Sequence, residues 1–520
     1  MFRERDSGLL QDGLDRAFTE HPDKFRRLLP PSAAVDSPFA SEVAHIKRLL
    51  EHWCADGSFR DEMNENPAAA ALRHGHQVDP EEVRYLWDAE HAHQCLKERK
   101  AVPYPVQRYR VWNSEKVLHR ESVRLEHCLP KDPRQRAWRE RQMRRIRSQL
   151  GENAFVNIVH APFAIELSEG CSVGCWFCGV SAKKKEGDFL YTPENRELWQ
   201  GVLHSLRNVL GDGARGGFCY WATDPMDNPD YEALLTDVAK ICGRFPQTTT
   251  AQPIKDIERT RALLKLSSGL GCDINRFSIT TLKTFKEVHQ AFTAEELLHT
   301  ELVLQNRESV HLQSNSGRAR GSKTLDRRAQ ETPNVPENWD EAPGTISCVS
   351  GFLINMVNRS IRLVTPCPSD DVWPSGHWVL EETRFEDADD FAEQIEGLID
   401  RNMRTSLRAS DPGRFRRDLK IELIPDGFEA RGFGTVATHK GGIPSAREVA
   451  AELLKGHPTV GDVTLAIEER LNTPAATVFD FLNRLFDEGL MDEEPPRGAV
   501  PASLDEKTEL TSQPRPIQNN

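Results

Sequence analysis

The sequence predicts an α/β protein with a parallel barrel at its core, a helical region before the barrel and a smaller strand-and-helix unit after it. Three patterns support this prediction. Short apolar runs alternate with amphipathic helical stretches between residues 163 and 306, which is the rhythm of βαβ units in a parallel barrel. Residues 1–100 carry apolar side chains at helical spacing. From residue 419 onwards, short alternating strands precede three helical stretches.

These patterns divide the chain into six consecutive segments. We expect a helical N-terminal domain (1–100), a helical connector with a basic helix (101–160), the barrel core (161–345), an extension of that core (346–412), the strand-and-helix unit (415–492) and a disordered tail (493–520). The basic helix has eight Lys or Arg residues and two acidic residues between Lys131 and Arg147. We interpret it as an amphipathic helix with a solvated basic face, or as a docking surface for an acidic peptide.

The core strands are expected where apolar runs end in turn residues. They are predicted at Phe163–Ser168, Gly217–Thr223, Thr248–Pro253, Ile274–Ile279 and Glu301–Gln305. Residues 307–343 predict a long irregular loop, and a loop of that length in a compact enzyme is usually functional or disordered. In the last unit, helices are predicted over 445–454 and 460–471, and a third begins with Thr473 as its N-cap.

Composition indicates a soluble globular protein, with 38% hydrophobic and 28% charged residues. No apolar run approaches the ~20 residues that span a bilayer, and the N-terminus lacks the apolar stretch of a signal peptide. Eleven cysteines, mostly isolated, suit a reducing cytoplasm better than a disulfide framework. The net charge of −13 argues against a nucleic-acid coat. We therefore expect a cytoplasmic protein that binds neither nucleic acid nor membrane.

Three cysteines follow the first core strand at the spacing C-x₃-C-x₂-C, in Cys171-Ser-Val-Gly-Cys175-Trp-Phe-Cys178. Thiolates at this spacing can hold one iron–sulfur cube through three of its irons, which leaves the fourth iron open. A zinc site would need a fourth ligand, and the closest upstream candidate, His160, lies across the strand. A set of unrelated buried thiols is the remaining alternative. The spacing predicts a [4Fe-4S] cluster.

The motif, with Phe177 before its last cysteine, resembles the signature of the radical S-adenosylmethionine (SAM) superfamily. The resemblance implies a partial (β/α)6 radical SAM barrel, with the cluster loop after its first strand. It also implies that SAM binds the open iron and is cleaved by one electron to a 5′-deoxyadenosyl radical, which abstracts hydrogen from an unactivated C–H bond. A flavodoxin or a ferredoxin would supply that electron.

Further SAM contacts are inferred by position along the core strands. Thr223 and Asp224 stand where the superfamily usually carries a Gly-Gly-Glu-Pro turn, but this chain has neither glycine. A rigid Asp-Pro turn that caps the next helix is the alternative. Gln252, Arg276 and Ser278 lie at or near later strand ends, where they could reach the carboxylate and ribose of SAM. Phe177 could offer its backbone to the adenine.

The amino-acid sequence around these motifs, over most of residues 40–400, resembles that of the proteusin-type radical SAM epimerases, which convert L-residues into D-residues in ribosomally made peptides. That resemblance implies removal of an α-hydrogen and its replacement from a cysteine thiol on the opposite face. Cys367, held between two prolines, is the first candidate donor, and Cys348 is the second. Their alternative role is that of buried structural cysteines. The other thiols form no ligand-spaced set, unlike those of enzymes with auxiliary clusters.

Two regions resemble peptide-recognition elements. Residues 53–87 are similar to the helical leaders of nitrile-hydratase-type precursors, although a simple helical cap on the barrel is an equal interpretation. The unit over 415–492 resembles the winged-helix element that binds the leader of a precursor peptide as an added strand. Winged helices also bind DNA, but the last helix here is acidic. Competing functions are a radical enzyme that crosslinks peptides through C–C or thioether bonds, a non-catalytic iron–sulfur module that binds a precursor, and a DNA-binding regulator.

Overall fold

The computed structural model describes residues 4–331, 344–442 and 444–496. Helices predominate before the first sheet. Asp56 and Asn66 begin two of them by accepting hydrogen bonds from the backbone N–H groups of Ser58 and Ala69. The helices are α1 (Glu4–Glu20), α2 (Pro31–Val35), α3 (Ala40–Ala55), α4 (Gly57–Glu65), α5 (Pro67–Arg73), α6 (Ala89–Lys97), α7 (Tyr104–Ser122), α8 (Pro133–Leu150) and α9 (Glu152–Phe155).

The N-terminal helices cap one side of the core. Arg48 of α3 donates hydrogen bonds to the backbone carbonyls of His289 and Phe292. The amide of Asn306 donates to the carbonyl of Ala55, and the N–H of Val310 donates to that of Cys54. Residues 53–87 therefore belong to a helical cap on the core, which was one of the two interpretations of their sequence.

Helix α8 is the predicted basic helix, and the prediction of a solvated basic face is correct for only part of it: Arg136, Arg144 and Arg147 are exposed, but other arginines of the helix are buried. Arg139, Arg141 and Arg145 are at most 2% exposed. The Nε of Arg139 donates to the carbonyl of His160, and Arg141 pairs with Glu493 at 2.8 Å. Arg139 thus fixes α8 to the core and Arg141 fixes it to the C-terminal part, so these buried arginines are not available as a docking surface for an acidic peptide.

The central part of the chain alternates strands and helices, as the sequence predicts. Its elements are β1 (Ala161–Glu166), β2 (Ser168–Glu169), β3 (Gly187–Asp188), α10 (Pro193–Leu210), α11 (Tyr231–Cys242), β4 (Thr249–Thr250), α12 (Ile257–Gly269), β5 (Asn275–Ile279), α13 (Leu282–Ala291), β6 (Thr300–Leu304), α14 (Lys323–Glu331), β7 (Val349–Asn355), β8 (Ser360–Pro366), β9 (His377–Arg384) and α15 (Ala388–Asn402). Helix α14 lies within the segment predicted as an irregular loop, and residues 332–343 of that segment lie outside the described residues.

These strands form two sheets, of which only one is parallel throughout, because β8 runs antiparallel to both β7 and β9. The prediction of a parallel barrel is therefore wrong for β8. One sheet has the order β1-β7-β8-β9, with β1 and β7 parallel, and the other has the order β4-β5-β6, all parallel. The predicted strand Gly217–Thr223 is reduced to one bridge between Phe218 and Ala164. The ring of Phe163 approaches this segment so closely that a Cβ on Gly217 would lie 2.0 Å from it. The chain then turns at Asp224, and this turn leaves no length for a regular strand.

The two faces of β1 have different environments because alternate side chains point to opposite sides. Phe163 and Ile165 pack in the large core formed with α10, α11 and α15. Ala164 belongs to a second cluster with Phe218 and Leu353, on the inner face of the barrel. Glu166, at the carboxyl end of β1, is 4% exposed. This inner face is the one that leads to the cysteine loop.

The C-terminal unit is a three-stranded antiparallel sheet followed by three helices. Its elements are β10 (Lys420–Ile424), β11 (Gly427–Arg431), β12 (Val436–Lys440), α16 (Ala446–Leu453), α17 (Val460–Leu471) and α18 (Ala475–Asp487). The N-cap of α18 is Pro474, so the predicted N-cap at Thr473 is one residue early. Residues 497–520 of the predicted disordered tail lie outside the described residues. Glu493 and Glu494, at its start, are held by Arg141 and Trp373.

Candidate functional site

The three motif cysteines lie on a loop that leaves β2 and returns at β3. Gly170 begins the loop with φ +74°, and a Cβ there would lie 2.3 Å from the carbonyl oxygen of Lys184. The N–H of Cys171 donates to the carbonyl of Lys183, so the start and the end of the loop are hydrogen-bonded to each other. Only glycine combines this backbone conformation with so close an approach. Gly170 therefore fixes the position of the start of the cysteine loop.

All three thiols of this loop are partly accessible, and none of them forms a disulfide. The N–H of Ala182 donates to Sγ of Cys178 at 3.2 Å. A hydrogen bond from Cys175 is the main cause that lowers the pKa of Cys178, to about 6, whereas burial raises the pKa of Cys171 to about 11. Within the described residues, no three metal-ligating side chains converge tightly enough for a single ion. A cube does not need such convergence, because each thiolate binds a different iron.

Arg318 holds the second half of the loop from outside. Its backbone N–H donates to the carbonyl of Cys178, and its guanidinium donates to the carbonyls of Cys175 and Ala182. Gly317 allows this contact, because it has φ +55° and a Cβ there would lie 2.4 Å from the oxygen of Cys178. The segment predicted as a long loop thus contributes directly to the cysteine loop.

Asp227 holds the first half of the loop from the barrel side. The backbone N–H and the hydroxyl of Ser172 both donate to its carboxylate, at 2.9 and 2.5 Å. The amide of Gln252, a predicted SAM ligand, donates to the same carboxylate at 3.1 Å. These hydrogen bonds lower the pKa of Asp227 even though burial opposes them. Gln252 therefore lies beside the cysteine loop.

Thr223 and Asp224, the other predicted SAM ligands near this turn, have different environments. The carboxylate of Asp224 accepts hydrogen bonds from the N–H groups of Met226 and Ala251 and from the hydroxyl of Thr250. It caps the short turn 225–227, in agreement with the alternative interpretation of the Asp-Pro sequence, and burial raises its pKa. By contrast, the buried hydroxyl of Thr223 has no hydrogen-bond partner among the described residues.

Glu166, at the carboxyl end of β1, connects this strand to β7 and to the segment before Asp224. Its carboxylate accepts hydrogen bonds from the N–H of Ala222 at 2.9 Å and from the amide of Asn355 at 3.0 Å. Arg362 lies 3.9 Å away. This buried carboxylate therefore fixes the segment that carries Thr223 relative to β1 and β7.

Arg276 and Ser278 lie on the inner face of β5, two residues apart. Arg276 is near the amino end of the strand and pairs with Glu301 at 3.3 Å. It therefore lies toward the opposite end of the barrel from the cysteine loop, and not at a carboxyl strand end beside Gln252. Phe177 is half-buried and packs edge-on against Trp176, with 5.5 Å between ring centroids. The roles of these three residues in SAM binding remain predictions.

The two candidate hydrogen donors differ in accessibility. Cys367 is 1% exposed and packs in the inner cluster with Trp373 and Trp378, and burial raises its thiol pKa far above the usual range. Cys348 is partly accessible. Cys348 precedes the amino end of β7, where it packs against Phe155 and Ile158, so it lies away from the carboxyl end of β1 from which the cysteine loop departs.

The site contains three residues that the sequence analysis did not select: Glu166, Asp227 and Arg318. Asp227 lies in the acidic turn after Asp224, and a second carboxylate there was a usable signal. Arg318 lies in a long loop, where functional residues are common. Glu166 had no distinguishing signal, because a single acid at a strand end is usually a solvated side chain.

The residues around the loop fit an iron–sulfur cluster and SAM. The donor set is three thiols with no fourth cysteine close by, which leaves a cube with one open iron. The unpartnered hydroxyl of Thr223 adds a polar group next to Asp224, on the segment that Glu166 and Asp227 anchor beside the loop. Cys171, Cys175 and Cys178 would hold the cluster.

Comparison with protein families, with solved structures and with curated proteins gives one strong match. No protein-family model matches the chain. Among solved structures, this chain is similar to the crystal structure of BtrN in complex with AdoMet and 2-DOIA, at 15% identity and a TM-score of 0.28, over 46% of this chain and 81% of that one. A similarity this weak carries no argument about fold or chemistry. Within the described residues, no helix has both the length and the apolar character of a membrane span.

The strong match is a bacterial relative of similar extent. The uncharacterized protein y4wI of Sinorhizobium fredii (strain NBRC 101917 / NGR234) is 40% identical to this chain over 385 residues. The aligned region is 73% of this chain and 74% of that protein. This chain belongs to the same family as the uncharacterized protein y4wI.

Proposed function

We propose that this protein is a radical SAM enzyme that carries one [4Fe-4S] cluster on Cys171, Cys175 and Cys178. The observation that carries the proposal is the loop itself, with three partly accessible thiols held between Asp227 on one side and Arg318 on the other. The bound cluster and SAM would supply a radical that removes hydrogen from an unactivated C–H bond. The chain's own residues hold the loop and, through the free hydroxyl of Thr223, offer SAM a hydrogen-bonding group.

We further propose that the reaction is the epimerisation of L-residues to D-residues in a ribosomally made precursor peptide. The proposal rests on the resemblance of residues 40–400 to proteusin-type epimerases and on two free thiols, Cys348 and Cys367, that flank β7 and β8 of the core. In the second half of the reaction the S–H bond breaks and its hydrogen atom is added to the α-carbon. One electron and one proton then restore the thiol. Of the two candidates, Cys348 is the more accessible, and Cys367 remains the alternative.

The C-terminal unit is the proposed binding site for the leader of the precursor. Among the described residues, β12 pairs with β11 alone, so its other edge is open to an added strand. Beside it, β12 and α18 border a cavity of about 120 Å³ lined by His439, Lys440, Phe481, Arg484 and Glu488. An extended peptide could therefore pair with β12 and place a side chain in this cavity.

The function is tested by anaerobic co-expression with a precursor encoded by a neighbouring gene, in deuterated water, followed by mass spectrometry of the peptide. We expect about one deuterium per modified α-carbon, and D-residues after hydrolysis. A product lighter by hydrogens and without label would indicate crosslinking instead. An unmodified peptide, together with failure of the reduced protein to cleave SAM, would favour a non-catalytic module.

The same experiment with Cys348→Ala and Cys367→Ala identifies the hydrogen donor. Loss of the donor should permit release of 5′-deoxyadenosine while reducing the yield of D-residues. If Cys367→Ala still gives both products, Cys367 is not the donor, and the same criterion applies to Cys348. A flavodoxin or a ferredoxin is the proposed electron source in the cell.

The Gly170→Ala variant should lower iron incorporation several-fold. Its methyl group would meet the Lys184 carbonyl and displace the start of the loop, in addition to the cost of φ +74°. Gly271→Ala is the matched control, because Gly271 has φ +86° with no atom within 4 Å of a Cβ. Iron per chain, measured after anaerobic reconstitution, compares the two. Equal iron contents would show that the close approach at Gly170 does not shape the cluster site.

A further inference from the structure

A second cavity lies at the end of the barrel opposite the cysteine loop. Its volume is about 130 Å³, and it is lined by α7 and by the residues that enter the parallel strands. Val159 precedes β1, Phe245 precedes β4, Ile274 precedes β5 and Cys348 precedes β7. We refer to it as the basal cavity. Because the cysteine loop follows the carboxyl end of β1, the basal cavity is separate from the loop.

The lining of the basal cavity has far more positive than negative charge. Its charged side chains are Lys116, Arg120, Arg215, Arg244, Arg276 and Glu301. Glu301 is shared by two cations, since it lies 3.3 Å from Arg276 and 3.5 Å from Lys116. Arg276, Lys116 and Arg120 together lower the pKa of Glu301 to about 2, although burial opposes this shift. One carboxylate is too few for the cations around it.

Of the remaining arginines, Arg244 is neutralised by Asp273 at 2.5 Å, whereas Arg120 and Arg215 have no such close partner in the part of the chain that the structure describes. Arg120 donates to the amide oxygen of Asn157 at 2.7 Å, and among the described residues it has no carboxylate within 4 Å. Arg215 is 3.8 Å from Asp212, whose side chain is 70% exposed. Arg276 sits in a strand on the inner face, yet 38% of its side chain is accessible, and this accessible part faces the cavity. Partly buried cations without counter-charges are costly unless an anion compensates them.

The walls between these cations are apolar. Val123, Val159, Phe218, Phe245 and Ile274 contribute to them, and Tyr220 lies on one side with its hydroxyl engaged by Gln247 and Thr249. Such a lining suits a small molecule with an anionic head and an apolar body, because ligand pockets combine apolar walls with a few convergent polar groups.

We propose that the basal cavity binds a small organic oxyanion, a carboxylate or a phosphate monoester, whose anionic group lies between Arg120 and Arg276. Guanidinium groups match the planar geometry of carboxylates and the oxygens of phosphates. The apolar walls would hold the body of the ligand. This site requires neither the iron–sulfur cluster nor SAM, so it does not depend on the proposed function.

The test is calorimetric titration of the full-length protein with benzoate, phenyl phosphate, inorganic phosphate and the neutral analogue benzamide. We expect benzoate or phenyl phosphate to bind at least tenfold more tightly than benzamide, because charged hydrogen bonds to arginine are lost in the neutral analogue. The tighter of the two identifies the head group as carboxylate or phosphate. Inorganic phosphate should bind more weakly than phenyl phosphate if the apolar walls contribute. Equal affinities for benzamide and both organic anions would overturn the proposal.

Two substitutions with opposite expected effects on the affinity for the anion distinguish a change in this site from general damage to the fold. Arg120→Gln should weaken binding of the preferred anion about tenfold. Glu301→Gln should tighten it several-fold, because the competing carboxylate is removed, and misfolding cannot produce tighter binding. Arg401→Gln, at an exposed pair with Glu381, should leave the affinity unchanged. An unchanged affinity in Arg120→Gln, or a weaker one in Glu301→Gln, would contradict the assignment.

Discussion

Replacing Cys171, Cys175 and Cys178 together by alanine should abolish iron binding. We expect the reconstituted protein to carry about four irons per chain and the variant to carry none. The same variant should lose reductive cleavage of SAM completely, since no cluster remains to deliver the electron. Iron analysis and electron paramagnetic resonance of the reduced protein measure the first effect, and release of 5′-deoxyadenosine measures the second.

This loss should occur without unfolding. The three thiols are partly exposed and belong to none of the hydrophobic core clusters, so their removal creates no buried cavity. Circular dichroism and the thermal midpoint of the metal-free proteins should therefore be nearly unchanged. Cys54→Ala is the matched control, because Cys54 is also a partly exposed free thiol but lies outside the loop. Iron retained by the triple variant, or lost by Cys54→Ala, would refute the assignment of the cluster.

The cysteine loop was predictable from sequence because its determinants are local. The three thiols, Gly170 and the preceding strand lie within a few residues of one another, so spacing alone indicated their chemistry. The contacts that hold the loop are not local. Arg318 is 140 residues after Cys178, and Asp227 reaches Ser172 across 55 residues. Pairings at such separations are set by the fold and leave no periodic signal in the sequence.

The errors in the predicted core have similar physical causes. The apolar residues of 217–223 predicted a strand, but the Phe163 ring and the turn at Asp224 limit pairing to Phe218. Arg276 was placed near SAM by the general rule for strand ends. It is instead the second residue of β5, at the amino end of the strand, where it pairs with Glu301 of the neighbouring strand. The alternation of side chains along a strand predicts that Arg276 points into the barrel, but the rule for strand ends misplaced it along the barrel axis.

On helix α8, composition predicted the environment of some basic residues but not of others: Arg136, Arg144 and Arg147 are exposed, whereas Arg139, Arg141 and Arg145 are buried. Eight basic residues indicate a solvated face, because arginine is seldom buried without partners. The buried arginines have partners that are distant in sequence: Arg145 donates a hydrogen bond to the carbonyl of Pro366, and Arg141 has its partner in the C-terminal part. Arg141 pairs with Glu493 and lies over the ring of Phe486, at 3.8 Å. The helix is therefore a structural joint between the two parts of the protein.

Replacing Arg145 in this joint should destabilise the protein by about 3–5 kcal/mol. The guanidinium lies 3.7 Å from the ring centroid of Trp378 and donates to Gln142, Gln149, Thr365 and the carbonyl of Pro366. Arg145→Ala would leave these acceptors buried without a donor and would open a cavity beneath Trp378. Urea unfolding followed by tryptophan fluorescence measures the free energy of unfolding.

Arg144→Ala is the control for this effect, because Arg144 is the adjacent residue of the same helix, its side chain is 52% exposed, and its hydrogen bond to the carbonyl of Asp487 lies at the surface. Its substitution should change the free energy of unfolding by less than about 0.5–1 kcal/mol. Arg145→Met retains most of the volume but loses the hydrogen bonds, so an intermediate cost would separate packing from hydrogen bonding. Equal stabilities of Arg144→Ala and Arg145→Ala would show that the buried guanidinium does not hold the joint. A large cost for Arg145→Ala would mean that the end of β8, and with it Cys367, is positioned by a residue that the sequence presents as part of a solvated surface.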